Sequence, residues 1–490
     1  MFCPEAITMK LLEQAGVGLL LLAAAPLWAQ VDTTPAAPVP AVVGPAMGSE
    51  DSGSASGNQP ASDQLASNSD RMMTPPPVSG QSYPSAPASE ERSNYLRGGM
   101  EFTTAYTDNA LGSVTGHPVS DVSYSLAPFV ELDETTPRLH VLTRYAPGFT
   151  FYQRTSSRNE EDQNAAIDLQ YRLSPHLTLS ARDGFQKSSN VFNQPDLAAA
   201  GAVSGGTGET NFSIISPIAD RLSNTGNAGI SWQFAANELV GAGGTFTNLH
   251  YPDQAEVPGL FDASSQAGSA FYAVRPAQAH YLGVTYQYQR LLSYPAEGLN
   301  ETQTQAVLFF YSFFPSTRLS FSFFGGPQYA DAGPQYLGTG PAQGGVAPVP
   351  ASRSWNPAAG ASFNWQGHLT SFALSYSHLI TSGGGLLGAV LTDSASASLK
   401  QQIVRTLSAS LAAGYAQNDL LSSALLLNDN GHTLSGTAVL QQQFREHLEV
   451  QLGYTRLHQS YGGVAVLAAT PDTNREFVAL SYRFSRGLGR

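Results

Sequence analysis

The chain has 490 residues, 12% of them charged, with 47 Gly, 24 Phe, 21 Tyr, one Cys and a formal net charge of -13. Ordinary globular domains carry about 25% charged residues, so something other than a charged surface keeps this chain dispersed. The acidic balance, with no basic run to offset it, excludes a nucleic-acid partner.

At the N-terminus, Lys10 precedes an apolar stretch from Val17 to Ala25, and Leu27-Trp28-Ala29 offers a small residue before Gln30. This pattern predicts a secretory signal peptide over 1–29, with Met9 as an alternative start. Cys3 lies before that cleavage point, so the mature chain has no thiol, and no cysteine follows the apolar stretch to take a lipid. No later apolar run approaches the ~20 residues of a spanning helix, which excludes a helical membrane protein. Residues 30–94 are dominated by Pro, Ala, Ser and Gly, as in Thr74-Pro75-Pro76-Pro77. Such a segment buries too little apolar area to offset its ordering entropy, and it reads as a disordered periplasmic tail, either a spacer or a tether.

From residue 95 to 490 the pattern changes to strand-length alternation. Ala165, Ile167, Leu169, Tyr171 and Leu173 interleave with Asn164, Asp168, Gln170 and Arg172. Ala228, Ile230, Trp232 and Phe234 do the same with Ser231 and Gln233, as do Leu282, Val284, Tyr286 and Tyr288 with Thr285, Gln287 and Gln289. Leu448, Val450, Leu452 and Tyr454 repeat it against Glu449, Gln451 and Thr455. Successive side chains on a strand point to opposite faces, so each run separates an apolar medium from a polar one. One run is equally compatible with a half-buried strand of a soluble sandwich. Many runs at regular spacing predict an all-β, transmembrane antiparallel barrel with lipid outside and water inside. Ile167, Leu169, Ile230, Trp232, Val284, Tyr286, Leu452, Tyr482 and Phe484 are the expected lipid-facing residues.

A leucine opens every second strand after a tight polar turn, at Leu139, Leu177, Leu239, Leu282, Leu319, Leu369, Leu407 and Leu448. The interval of about 40 residues holds two strands of about 11 residues, a tight turn and a longer loop. The longer connections are expected at 189–222, with its centre around Gly201 to Ile218, and at 250–268, 330–352 and 459–474. Eight short turns join sixteen strands, and one strand at each end gives about 18; the expectation is 16–18. Phe149, Phe151 and Tyr152, and Tyr286 and Tyr288, suit aromatic girdles at strand ends. The run Phe309-Phe310-Tyr311-Ser312-Phe313-Phe314 breaks the alternation and leaves its faces unassigned.

Several charges fall on the polar register. Arg144 stands five residues after Leu139 and Arg182 five after Leu177, with Asp168 at a matching level on the strand between. Arg172 and Arg483 add positive charge nearer the short-turn rim. These five are the candidate lumen residues, read either as a constriction that screens solutes by charge and size or as an ion-pair ladder stiffening the wall. Ser371, Ser375 and Ser377 read as wetted inner wall. Gly-x-Ser-x-Gly, His-Glu-x-x-His and paired cysteines are missing from the mature chain, and the histidines, including His176, His368 and His447, scatter among turns. The expectation is a non-enzyme without cofactor or metal.

Val478, Leu480, Tyr482 and Phe484 alternate with Ala479, Ser481 and Arg483 near the end of the chain. This resembles the closing strand of bacterial outer-membrane barrels, although Ser485 to Arg490 extend past the final aromatic. About four fifths of the chain resembles bacterial outer-membrane β-barrel proteins of the porin-like class. Tyr106-Thr107-Asp108-Asn109, Thr136-Pro137-Arg138 and Tyr145-Ala146-Pro147 look similar to segments of barrels associated with exopolysaccharide systems. The resemblance implies a Gram-negative-type cell outer membrane, with lipid and the barrel-assembly machinery as partners. It also implies transport of small solutes through a passive porin-like pore. The alternatives are a conduit exporting an anionic polysaccharide, a surface or structural protein anchored by its barrel, and a soluble secreted β-protein.

Overall fold

The computed structural model describes residues 94–110, 118–188, 220–254, 259–295, 298–316, 318–336, 350–386, 388–421, 431–461 and 472–488. The expected signal peptide, the expected tail except Asn94, and the loop around Gly201 to Ile218 lie outside the described residues. The strands in chain order are β1 Asn94–Thr107, β2 Asp121–Thr135, β3 Leu139–Tyr152, β4 Glu160–Ser174, β5 Leu177–Ser188 and β6 Arg221–Ala235. They continue with β7 Glu238–His250, β8 Asp262–Ala277, β9 His280–Tyr294, β10 Asn300–Ser316, β11 Leu319–Ala332 and β12 Ser352–Gln366. The last six are β13 Thr370–Ser382, β14 Ala389–Val404, β15 Leu407–Leu420, β16 Gly431–Arg445, β17 Leu448–Tyr461 and β18 Asp472–Gly487.

Each strand pairs antiparallel with the next, and β18 pairs with β1 from Tyr95↔Gly487 to Thr107↔Arg475, so an 18-stranded sheet closes on itself. The predicted leucines stand within two residues of the start of every odd-numbered strand from β3 to β17. The longer connections are shorter than expected, because β8 begins at Asp262 and β11 continues to Ala332, positions assigned to loops by composition. Ser264, Gly268 and Asp331 are loop-rich residue types, but each sits in a ladder with both neighbours.

Following the paired residues once round the wall returns to β1 about 22 residues along from the starting point. With strands about 4.8 Å apart and a rise of about 3.3 Å per residue, that stagger tilts the strands by about 40° and sets a radius of about 18 Å. On the outer face, an apolar band about 20–25 Å tall runs round the cylinder, the height of an outer-membrane hydrocarbon layer. Trp232, Phe444 and Phe484 mark its short-turn edge, and Tyr106, Phe151 and Trp355 lie toward the loop edge, all outward and exposed. Above the band the outward positions carry acid–base pairs: Arg290 with Glu301 at 2.8 Å, Arg353 with Asp331 at 3.1 Å, Arg456 with Asp472 at 3.0 Å and His378 with Asp393 at 2.8 Å.

The unassigned aromatic run of β10 follows strict alternation after all. Phe309 is 64% exposed on the outside and Phe310 only 5% exposed on the inside. Five inward rings, Phe310 among them, lie directly across the ladder from a glycine. Phe271 faces Gly241, Phe310 faces Gly283, Phe324 faces Gly360, Phe477 faces Gly453 and Phe129 faces Gly99. A Cβ at Gly283 would come within 2.2 Å of the Phe310 ring, and one at Gly453 within 2.1 Å of the Phe477 ring. The missing side chains let the rings lie flat along the inner wall, which fills the glycine gap and keeps the bore clear.

Candidate functional site

The inner wall is the candidate site, and the alternation builds it. All five predicted lumen residues, Arg144, Asp168, Arg172, Arg182 and Arg483, share the inward register with Glu131, Thr150 and Ser481. Asp168 stands opposite Arg182 on β5, and Arg144 is opposite Ala166, two residues from Asp168. Arg172 sits lower, beside the β4–β5 turn.

The acids that organise this arc were missed in the sequence reading. Glu131, 4% exposed, holds Arg97 at 2.8 Å and Arg144 at 3.9 Å. Asp133 takes Arg97 at 3.8 Å and His140 at 3.2 Å. The Arg144 guanidinium also lies over the Phe129 ring, 5.4 Å from its centre. Farther round, Arg483 approaches Glu449 at 3.7 Å, and Gln451 donates to Glu449 at 2.6 Å. Arg97 and Glu131 are opposed in the β1–β2 register, but they come from a region read only for its flanking motifs. The signal was available in the period-two count from Leu126 and Val130. Acids and bases are therefore interspersed along an arc from β17 through β1 to β5.

The opposite arc has another character. Phe271, Tyr281, Leu308, Phe310, Phe324 and Leu379 belong to one buried apolar cluster on the inner side of β8–β13. Between the two arcs, β13 and β14 carry hydroxyl ladders, with Ser375 and Ser396 at 2.6 Å and Ser377 and Ser394 at 2.7 Å. The bore is thus divided into charged, apolar and hydroxyl sectors.

All nine residues expected to meet lipid, Ile167, Leu169, Ile230, Trp232, Val284, Tyr286, Leu452, Tyr482 and Phe484, stand on the outward register. Tyr152, grouped with the girdle aromatics, points inward with Thr150, because it is adjacent to the outward Phe151. Asp183 follows the inward Arg182 and so must face outward, where the Asn224 amide donates to it at 3.2 Å.

The loop end of the bore is narrowed by its own connections. Leu249, Tyr251, Leu260, Leu386, Val390 and Tyr461 form one buried cluster that joins β7 and the β7–β8 connection to β14 and β17. Burial pushes the Tyr251 phenol up to about 12. The Phe261 amide donates to the Gly385 carbonyl at 2.7 Å, and the Gly388 amide to Ser293 Oγ at 3.1 Å. Gly384, Gly385 and Gly388 have φ of 60, 110 and 89°, in the left-handed region that L side chains avoid, and this shapes the tip of the β13–β14 hairpin. Among the described residues, no group of three or more His, Cys, Asp or Glu is placed to hold a metal ion.

No protein-family model matches the chain, and no curated protein matches it at a significant level. Among solved structures, it is similar to OpdQ of Pseudomonas aeruginosa, at 11% identity and TM-score 0.40, over 81% of this chain and 99% of that one. It is also similar to OccAB4 of Acinetobacter baumannii, at 10% identity and TM-score 0.36, over 82% and 100%. The siderophore receptor PirA of Pseudomonas aeruginosa is similar at 12% identity and TM-score 0.35, over 81% of each chain.

Proposed function

We propose that the chain is an outer-membrane β-barrel of the Gram-negative type that forms a passive pore for small hydrophilic solutes. The observation that carries this reading is the pairing of a closed 18-stranded cylinder with a polar, charge-bearing inner wall beneath an apolar outer band. A radius of about 18 Å exceeds what inward side chains fill, and barrels of 16–18 strands leave an aqueous channel. The lipid-facing role of the nine outward residues belongs to this proposal, as does insertion by the barrel-assembly machinery through β18, which carries Phe484. The charged arc from Glu449 to Arg182 lines one side of the path and biases which ions pass. Its internal pairs also stiffen the wall, so charge screening and stiffening are two effects of one arc.

Liposome swelling tests the proposal. Vesicles containing the refolded chain should swell in isotonic arabinose and glucose and progressively less in larger oligosaccharides. Swelling rates equal to those of empty vesicles for every sugar would reject a passive pore.

A further inference from the structure

The wall is not zipped to its full height. β12 and β13 pair only from Ala359↔His378 down to Gln366↔Ser371, although β12 continues up to Ser352 and β13 up to Ser382. Among the described residues, no ladder joins 352–358 to 379–382. The upper part of β13 stays bonded to β14, from Leu379↔Thr392 to Ser382↔Ala389. It has turned into the bore, where it approaches β8 and β9.

New partners hold it there. The Ile380 amide donates to Gln328 Oε1 on the inner face of β11, at 3.1 Å. By alternation with Leu374 and Tyr376, Ile380 belongs on the outside, yet it is 2% exposed and clusters with Leu291, Ala330 and Ala389. The hairpin thus lays its lipid-type face against the inner walls of β9 and β11.

The vacated seat fits the same strand. Continuing the β12–β13 register upward sets Leu379 opposite Ala358, Ile380 opposite Pro357 and Thr381 opposite Asn356. Ile380 would then rejoin the outward face beside Trp355, which is 71% exposed. Pro357 has no amide proton, so it weakens the ladder at that point and lowers the cost of leaving it. Gly383 to Gly385 and Gly388 supply the flexible tip.

We propose that the upper β13–β14 hairpin is a gate with two seats. Folded inward, as here, it narrows the loop end of the bore; zipped to β12, it completes the wall and clears the bore. This inference rests on the pore reading and adds its regulation.

Disulfide traps in the full-length chain carrying Cys3→Ser test it. The pair Asn356→Cys/Thr381→Cys locks the zipped seat, and Ala330→Cys/Ile380→Cys locks the inward seat. In planar bilayers, oxidation of the first pair should raise single-channel conductance at least twofold. Oxidation of the second should hold the low level, and reduction should reverse both. The gate is overturned if Asn356→Cys/Thr381→Cys never oxidises while the other pair does, or if both oxidise and conductance stays equal. No current from any variant, reduced or oxidised, would instead overturn the pore reading and the gate with it.

Discussion

Leu452→Arg isolates the feature on which the fold's relation to lipid depends. Leu452 lies between Leu440 on β16 and Val478 on β18 and is 50% exposed on the outward face of the apolar band. A cation facing acyl chains near mid-depth costs about 2–4 kcal/mol. At 1.4 kcal/mol per tenfold, the folding equilibrium in bilayers should fall roughly thirty- to seven-hundred-fold. Gln287→Arg is the matched control, because Gln287 points into the bore between Ser269 and Ala306. Its stability should change by no more than about 0.5 kcal/mol. Urea titration of both variants in lipid vesicles, followed by tryptophan fluorescence and by heat-dependent gel mobility, reads the difference. Equal destabilisation of the two variants, or a larger loss for Gln287→Arg, would refute the assigned register.

Glu131→Gln removes the carboxylate shared by Arg97 and Arg144, which should cost about 1 kcal/mol in the same titration and shift the zero-current potential in a KCl gradient toward anion preference. Gly453→Ala drives a methyl into the Phe477 ring and should destabilise by about 1–3 kcal/mol. Gly436→Ala, whose Cβ would meet nothing within 4 Å, should not, so chemical denaturation of the pair checks the ring-over-glycine packing. Tyr251 has a folded value near 12 against 10.0 for an ordinary tyrosine. Its contribution is therefore intact below pH 10 and is lost as pH rises toward 12. Tyr251→Phe should lack that part of the alkaline loss of stability, as read by denaturation midpoints between pH 9 and 12.

The architecture was legible because a barrel strand meets two media at once. Ile230 against Ser231 and Leu452 against Gln451 record that contrast residue by residue, and the recurring leucines count the hairpins. Composition misled at Asp262 to Gly268, where small polar residues look like a loop but occupy ladder positions. The inner-wall arc was half visible: Arg144, Asp168 and Arg182 follow from depth counting along neighbouring strands. Glu131 and Glu449 required the residue-by-residue register of β1 to β3 and of β17 with β18, because Arg97 and Arg144 stand directly opposite Glu131 and Arg483 stands two residues from the Ser481 that faces Glu449. The Phe309–Phe314 run could not be assigned from periodicity, since both of its faces are aromatic. Its inward rings have no separate signature without the cross-strand glycines. The infolded hairpin breaks the period-two rule at Ile380, so alternation alone places that residue outside. The Gly383–Gly385 run and Pro357 were its only local marks.

Single-channel recording of the refolded chain in planar bilayers tests the central claim most directly. An aqueous bore predicts discrete, ohmic conductance steps that scale with bulk salt conductivity and change their ion preference when Glu131 is neutralised. A membrane-inserted, heat-modifiable protein that passes no current at any voltage, with or without the oxidised Asn356→Cys/Thr381→Cys lock, would contradict it.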